Sequence, residues 1–124
     1  MGDAFPAKAT AALLADRLAN LPEERLEVAH LDRKGRLLGY SSLAGDAGSV
    51  PLPIRQIIAD ALALDADALV IAHNHPSGDP TPSPADLRAT RRLADAAHPL
   101  GLRVIDHLVV GRGGWHSLRA LGLL

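Results

Sequence analysis

The sequence predicts an α/β domain in which a single small mixed sheet is flanked by helices. Segments with helical spacing of apolar residues alternate with short apolar runs, in the order helix, hairpin, helix, strand, loop, helix, strand and tail. The core must be built from Leu, Val, Ile and Ala, because the 124 residues include only one Phe, one Tyr and one Trp. We expect one domain over residues 1–124, with an N-terminal helix in 1–20 and the core in 24–124.

The first half of the chain is predicted to form a helix, a hairpin and a second helix. Residues 8–20 carry apolar side chains at helical spacing and end before Pro22. The segments 25–32 and 36–43 flank the turn residues RKG, a pattern typical of a β-hairpin. Helical spacing returns over residues 54–64.

The second half is predicted to form strand, helix and strand. Residues 68–72 are a continuous apolar run, typical of a strand covered on both faces, and we expect the strand to end at His73. Ser83 as N-cap and Pro84 at the first helical position begin a third helix. A further strand is predicted over 102–111, followed by a short tail.

Charge, cysteine content and hydropathy narrow the function classes. The formal net charge is −1, so a nucleic-acid partner, although conceivable, is not supported by charge. The chain has no cysteine, which excludes disulfides and thiolate-bound zinc. It also has no secretory signal pattern and no apolar run of the ~20 residues that span a bilayer. We expect a cytoplasmic protein with no membrane partner; the sequence does not indicate its oligomeric state.

Two histidines at the end of the central strand indicate a metal site. In an extended segment, residues i and i+2 point to the same side, so His73 and His75 can present their imidazoles to one point. The loop that follows is rich in Gly and Pro and can return Asp86 to the same point. Catalytic zinc sites use three such protein ligands and leave one position for water.

Each of these residues also has a purely structural interpretation. A histidine at a strand end is often only a polar residue leaving the sheet, and Ser83-x-x-Asp86 is a common helix N-terminal signature. The two interpretations of the helix start are compatible. Ser83 can accept from a backbone N–H while donating its own proton to a developing oxyanion, and the helix dipole favours an ionised Asp86.

The spacing of these residues resembles the signature of a known family. His73-x-His75-Pro76, six residues, Ser83, two residues and Asp86 is similar to the motif of JAMM (JAB/MPN) zinc metalloproteases. The wording AHNHPSGDPTPSPAD, followed by RVIDHLVVG, resembles the RadC-type branch in particular. The resemblance implies a JAB/MPN-like, cytidine-deaminase-like architecture and one zinc ion per chain, held by His73, His75 and Asp86 with a water in the fourth position.

The resemblance also implies a glutamate that acts as general base and then general acid. Counting back from the LD that ends the first strand, the family pattern falls on Glu24. Glu24 shares parity with apolar Leu26, whereas Glu23 and Glu27 share the other face and are expected to be more solvated. Glu23 and Glu27 remain alternatives for the base.

Asp106 and His107 lie in the RadC-like segment. Either residue could hydrogen-bond to a metal ligand or to the bound water and so orient it. His107 could equally be a strand histidine bonded to a backbone carbonyl.

The hypothesis favoured by these residues is metal-assisted hydrolysis of a peptide or isopeptide bond, with a protein or peptide as substrate. A two-histidine, one-carboxylate iron oxygenase is a second hypothesis. A third is a RadC-type module for DNA repair or mobile elements without essential catalysis, although the helix-hairpin-helix region of many RadC-type proteins is not found here.

Overall fold

The computed structural model describes residues 4–44 and 52–124, and within them three α-helices pack on a five-stranded mixed sheet. The helices are α1 (Ala4–Leu18), α2 (Ile54–Ala63) and α3 (Pro84–Ala97). The strands are β1 (Arg25–Leu31), β2 (Leu37–Ala44), β3 (Ala68–Asn74), β4 (Arg103–Val110) and β5 (Trp115–Ser117). The predicted α/β class is therefore confirmed.

The strand order β2-β1-β3-β4-β5 places β3 at the centre of the sheet. β3 and β4 run parallel, and the other neighbouring pairs run antiparallel. A parallel pair needs a crossover connection, and α3 supplies it. The C-terminal end of β3 and the N-terminal end of α3 are joined by one loop, residues 75–83.

The sheet separates two apolar cores, because alternate strand residues face opposite sides. The first core joins α1 to one face of the sheet and includes Leu14, Leu18, Ala29, Val70 and Leu108. The second core joins α2 and α3 to the other face and includes Ile57, Leu93, Val28, Leu69 and Ile71. Among the helices of the described residues, none has the length and apolar character that a bilayer crossing requires.

Two elements differ from the prediction. β3 continues through His73 to Asn74, because His73 is paired with Leu26 of β1 on one side and with Val109 of β4 on the other. The predicted tail contains β5, whose three residues pair antiparallel with the end of β4. Residues 1–3 and 45–51 of the expected domain lie outside the described residues.

Candidate metal centre

The two histidines lie where the central strand meets the loop. His73 is the next-to-last residue of β3 and is buried. His75 follows the strand, and its backbone N–H donates to the carbonyl of Val110, 2.9 Å away. The backbone therefore stays extended between the two histidines, and both imidazoles lie on the α3 side of the sheet, as their proximity to Asp86 shows.

Asp86 is in the first turn of α3 and has two roles. Ser83 is the N-cap: its hydroxyl oxygen accepts from the Asp86 N–H at 3.1 Å, and Asp86 Oδ2 accepts from the Ser83 N–H at 2.7 Å. This reciprocal arrangement is a capping box. It still leaves Asp86 Oδ1 facing His73. The structural and the metal-binding interpretations of Asp86 are therefore compatible.

The distances between the three side chains suit a small metal ion. His73 Nε2 lies 3.0 Å from His75 Nε2 and 3.3 Å from Asp86 Oδ1, and His75 Nε2 lies 3.5 Å from Asp86 Oδ2. Ligands held tetrahedrally at 2.0–2.1 Å from zinc are about 3.3–3.4 Å apart. The three residues form one cluster of ligand atoms within 4.8 Å of one another, and they can hold a metal ion.

The electrostatics of Asp86 also favour a cation. Burial alone raises the pKa of this carboxyl, but the contact with His73 and the Ser83 backbone N–H outweigh burial and hold the pKa well below its ordinary value. A group with a depressed pKa is ionised at neutral pH. Asp86 is thus a carboxylate in the form that a metal requires.

The loop after β3 fixes the orientation of His75. His75 Nδ1 lies 2.9 Å from the backbone carbonyl oxygen of Asp79. Because a carbonyl can only accept, Nδ1 carries a proton, and Nε2 is the nitrogen directed at His73 and Asp86. The loop is held in turn by the β4–β5 hairpin: the Arg112 N–H donates to the carbonyl of Gly78, and His116 Nδ1 donates to the carbonyl of Pro80.

His107 lies directly behind His73. His73 Nδ1 is 2.7 Å from His107 Nε2, and His107 Nδ1 contacts the hydroxyl of Thr90 on α3. Burial, with the neighbouring His73 acting in the same direction, lowers the pKa of His107 to about 3, so His107 is neutral at neutral pH. Of the two alternatives open for His107, the observed contact is the one with His73, a candidate ligand.

Thr90 contacts His107, and this contact was not predicted from the sequence. It lies four residues after Asp86, so both side chains project from one face of α3. That spacing, Asp86-x-x-x-Thr90, is the only signal in the sequence, and threonine in a helix is too common for it to be read.

Asp106 does not have the role expected of it. Its neighbour His107 faces the ligands, so in an extended strand Asp106 faces the other side of the sheet. Its carboxylate accepts from the Ser117 hydroxyl and the Arg119 N–H, as well as from the His107 N–H. Asp106 therefore fastens the C-terminal segment to β4.

Glu24 directly precedes β1, the strand that lies next to β3. The β1–β3 register pairs Leu26, two residues after Glu24, with His73. Glu24 is half-buried. Buried Asn74 fastens the backbone on both sides of it, since Asn74 Oδ1 accepts from the Arg25 N–H at 2.7 Å and Asn74 Nδ2 donates to the Glu23 carbonyl at 2.9 Å.

The expected solvation of Glu27 was wrong. Glu27 is only 2% exposed, and its carboxylate is paired with Arg17 of α1. The sequence pattern failed here because α1 packs on the face of the sheet that carries Glu27, which no strand periodicity reveals. Glu27 therefore faces away from the metal site, and Glu23 is exposed.

The chain forms a five-stranded mixed sheet with helices on both faces, two histidines at the end of the central strand and an aspartate in the first turn of α3. These features define a JAB-like domain with a candidate metal site. Comparison with protein-family models matches residues 6–123 to the RadC-like JAB domain, and the chain belongs to this family.

The relatives are UPF0758 proteins. That of Rhodobacter capsulatus is 48% identical over 108 residues, covering 86% of this chain and 50% of the relative. That of Moorella thermoacetica is 41% identical over 115 residues, covering 92% and 50%. That of Symbiobacterium thermophilum is 42% identical over 112 residues, covering 90% and 48%. The chain thus spans about half the length of the curated relatives that it matches.

Proposed function

We propose that this domain is a zinc-dependent hydrolase of the JAMM type that cleaves a peptide or isopeptide bond. The observation that carries the proposal is the convergence of His73, His75 and Asp86 at distances of 3.0–3.5 Å. His73 Nε2, His75 Nε2 and Asp86 Oδ1 would hold the ion. When bound, zinc lowers the pKa of a bound water toward ~7 and polarises a substrate carbonyl.

Glu24 would serve as general base and then general acid. The proposal is supported by the position of Glu24, which is half-buried and directly precedes β1, two residues before the Leu26–His73 pair, and by Asn74, which fixes the backbone on both sides of Glu24. A carboxylate held there can take a proton from the attacking water and give it to the leaving amine. Glu27 is unsuited to this role because it is paired with Arg17 on the other face.

Ser83 would stabilise the oxyanion that develops on the substrate carbonyl. Its oxygen accepts from the Asp86 N–H in the capping box. Its hydroxyl proton is not used by that cap and can be donated to substrate. The three chemical roles of amide hydrolysis are thus assigned to ligands, base and oxyanion donor.

The test is metal analysis combined with cleavage of a fluorogenic peptide library. Purified protein is expected to hold one zinc per chain and to cleave peptides, and Glu24→Gln is expected to keep zinc while losing cleavage. Glu23→Gln is the matched control, because Glu23 is exposed, and it should behave as wild type. Iron together with oxygen consumption, or cleavage that survives Glu24→Gln, would contradict the proposal.

A further inference from the structure

A line of buried hydrogen bonds runs from the backbone of Asp86 to the metal-facing histidine. Thr90 Oγ1 lies 2.7 Å from the carbonyl oxygen of Asp86 and also contacts His107 Nδ1, and His107 Nε2 lies 2.7 Å from His73 Nδ1. We infer that Thr90 is a positioning residue that acts through His107 to set the tautomer of His73. This inference rests on the proposed function, since it concerns the same metal site.

The direction of each hydrogen bond follows from the number of protons available. The Asp86 carbonyl can only accept, so the single hydroxyl proton of Thr90 is donated to it. Thr90 Oγ1 must then accept from His107, and His107 therefore carries a proton on Nδ1. The carbonyl of Asp86 thus fixes the protonated nitrogen of an imidazole that it does not touch.

The same reasoning extends to His73. His107 is 2% exposed and makes its side-chain hydrogen bonds only to Thr90 and His73 within the described residues, so no carboxylate bonds to it directly and burial keeps it neutral. With its one proton on Nδ1, His107 has an accepting Nε2. His73 Nδ1 must donate to that atom, so Nδ1 holds the single proton of a neutral His73 and Nε2 is the nitrogen that such a His73 offers to a metal.

The result is a site on which two imidazole Nε2 atoms and one carboxylate converge. His75 is oriented in the same way by the Asp79 carbonyl, so in both imidazoles Nδ1 donates to the protein and Nε2 faces the other Nε2 at 3.0 Å. At such distances the two Nε2 atoms and the carboxylate need a proton or a metal ion between them. Both imidazoles are therefore prepared in the form that a metal binds, before it binds.

Thr90→Val should move the proton of His107, and then that of His73, to the other ring nitrogen. Without the hydroxyl, the Nδ1–H of His107 would be buried without an acceptor, which costs more than a buried lone pair next to a methyl group. His107 should then carry its proton on Nε2 and donate to His73, which moves the His73 proton to Nε2. Zinc must displace that proton, and we expect affinity to fall by about 10–100-fold.

The experiment measures tautomers and zinc affinity separately. Long-range proton–nitrogen NMR on the metal-free chain should find the His73 proton on Nδ1 in wild type and on Nε2 in Thr90→Val. Zinc affinity, measured by chelator competition, should fall in Thr90→Val and recover in Thr90→Ser, which restores the hydroxyl. Ile57→Val is the control for a small loss of core packing, since Ile57 is buried on α2, and it should bind zinc as wild type does.

Three outcomes would overturn the inference: a wild-type His73 that carries its proton on Nε2, a Thr90→Val variant with unchanged zinc affinity, or a Thr90→Ser variant as impaired as Thr90→Val. If Thr90→Val does not fold, the wild-type tautomer still decides. A chain that binds no zinc, or binds it without hydrolysing peptides, would count against the proposed function. The tautomer of metal-free His73 would remain a separate result.

Discussion

Gly111 lies so close to Gly78 that a β-carbon at residue 111 would be 2.3 Å from the Gly78 carbonyl oxygen. The same atom would be 2.7 Å from Pro80 Cδ. The β4–β5 hairpin therefore packs by its backbone against the loop whose Asp79 carbonyl orients His75. The hairpin is a support for one of the three candidate ligands.

Gly111→Ala is expected to weaken both folding and metal binding. The added methyl group must push the loop away from the hairpin, at a cost of about 1–3 kcal/mol in the free energy of unfolding. His75 then loses its fixed orientation, and zinc affinity should fall. Chemical denaturation and chelator competition measure the two effects. Gly113→Ala is the matched control because nothing lies within 4 Å of its added β-carbon; equal behaviour of the two variants would refute the prediction.

Asn74→Ala is expected to separate catalysis from metal binding. The variant frees the backbone on both sides of Glu24, and a misplacement of ~1 Å is enough to cost about 100-fold in turnover. Zinc affinity should stay within a few fold of wild type, because Asn74 points to the face opposite its neighbours His73 and His75. Peptide cleavage and zinc titration are compared.

Asn20→Ala is the control for Asn74→Ala, since Asn20 is exposed. It should change neither measurement. An Asn74→Ala variant that loses zinc and cleavage in parallel would show that Asn74 supports the ligands and not the base.

Zinc is expected to stabilise the fold. An ion that binds only the folded chain at 100 times its Kd adds about 2.7 kcal/mol, which corresponds to a rise on the order of 10 °C in Tm for a domain of this size. Thermal unfolding with zinc and with chelator measures the difference. His73→Ala and Asp86→Ala should abolish it, whereas His98→Ala should keep it because His98 is exposed and lies at the far end of α3.

The metal-free chain is expected to lose stability below about pH 6.5. Burial lowers the pKa of His107 to about 3, while a histidine in the unfolded chain titrates near 6.5. Between these values the unfolded chain binds a proton that the folded chain does not, so stability falls as pH falls, by up to about 1.4 kcal/mol per pH unit. Denaturation at pH 7.5 and pH 5.5 in chelator measures the loss.

His107→Gln is the comparison for the pH effect. Burial also lowers the pKa of His30, which contributes a slope of the same sign in both proteins. The difference between wild type and His107→Gln therefore isolates His107. Identical pH slopes would show that His107 is not the group responsible.

Most of the fold could be predicted because its elements carry local signals. Ser83 and Pro84 mark the start of α3, and the apolar run 68–72 marks the centre of β3. The strand β5 could not be predicted, because three residues beginning with Trp115 are too few for an alternating pattern and are held as a strand only by β4. The extension of β3 to Asn74 likewise depends on two neighbouring strands.

The candidate site likewise has a part that could be predicted from the sequence and a part that could not. His73, His75 and Asp86 are joined by sequence spacing within one strand, loop and helix start, so their convergence could be predicted. The burial of Glu27 and the contact from Thr90 to His107 depend on which helix covers which face of the sheet. The packing of a given helix on a given face of the sheet produces no periodic pattern in the sequence.

The capping box at the start of α3 affects how a metal ion would bind to the candidate centre and be released from it. Asp86 is tethered by the Ser83 N–H, a bond that involves no ion, so its rotamer is chosen by the helix itself. An arriving ion therefore meets an oxygen whose conformational entropy has already been lost, and a departing ion leaves the helix start intact. Repeated exchange of ions then requires no refolding of the polypeptide.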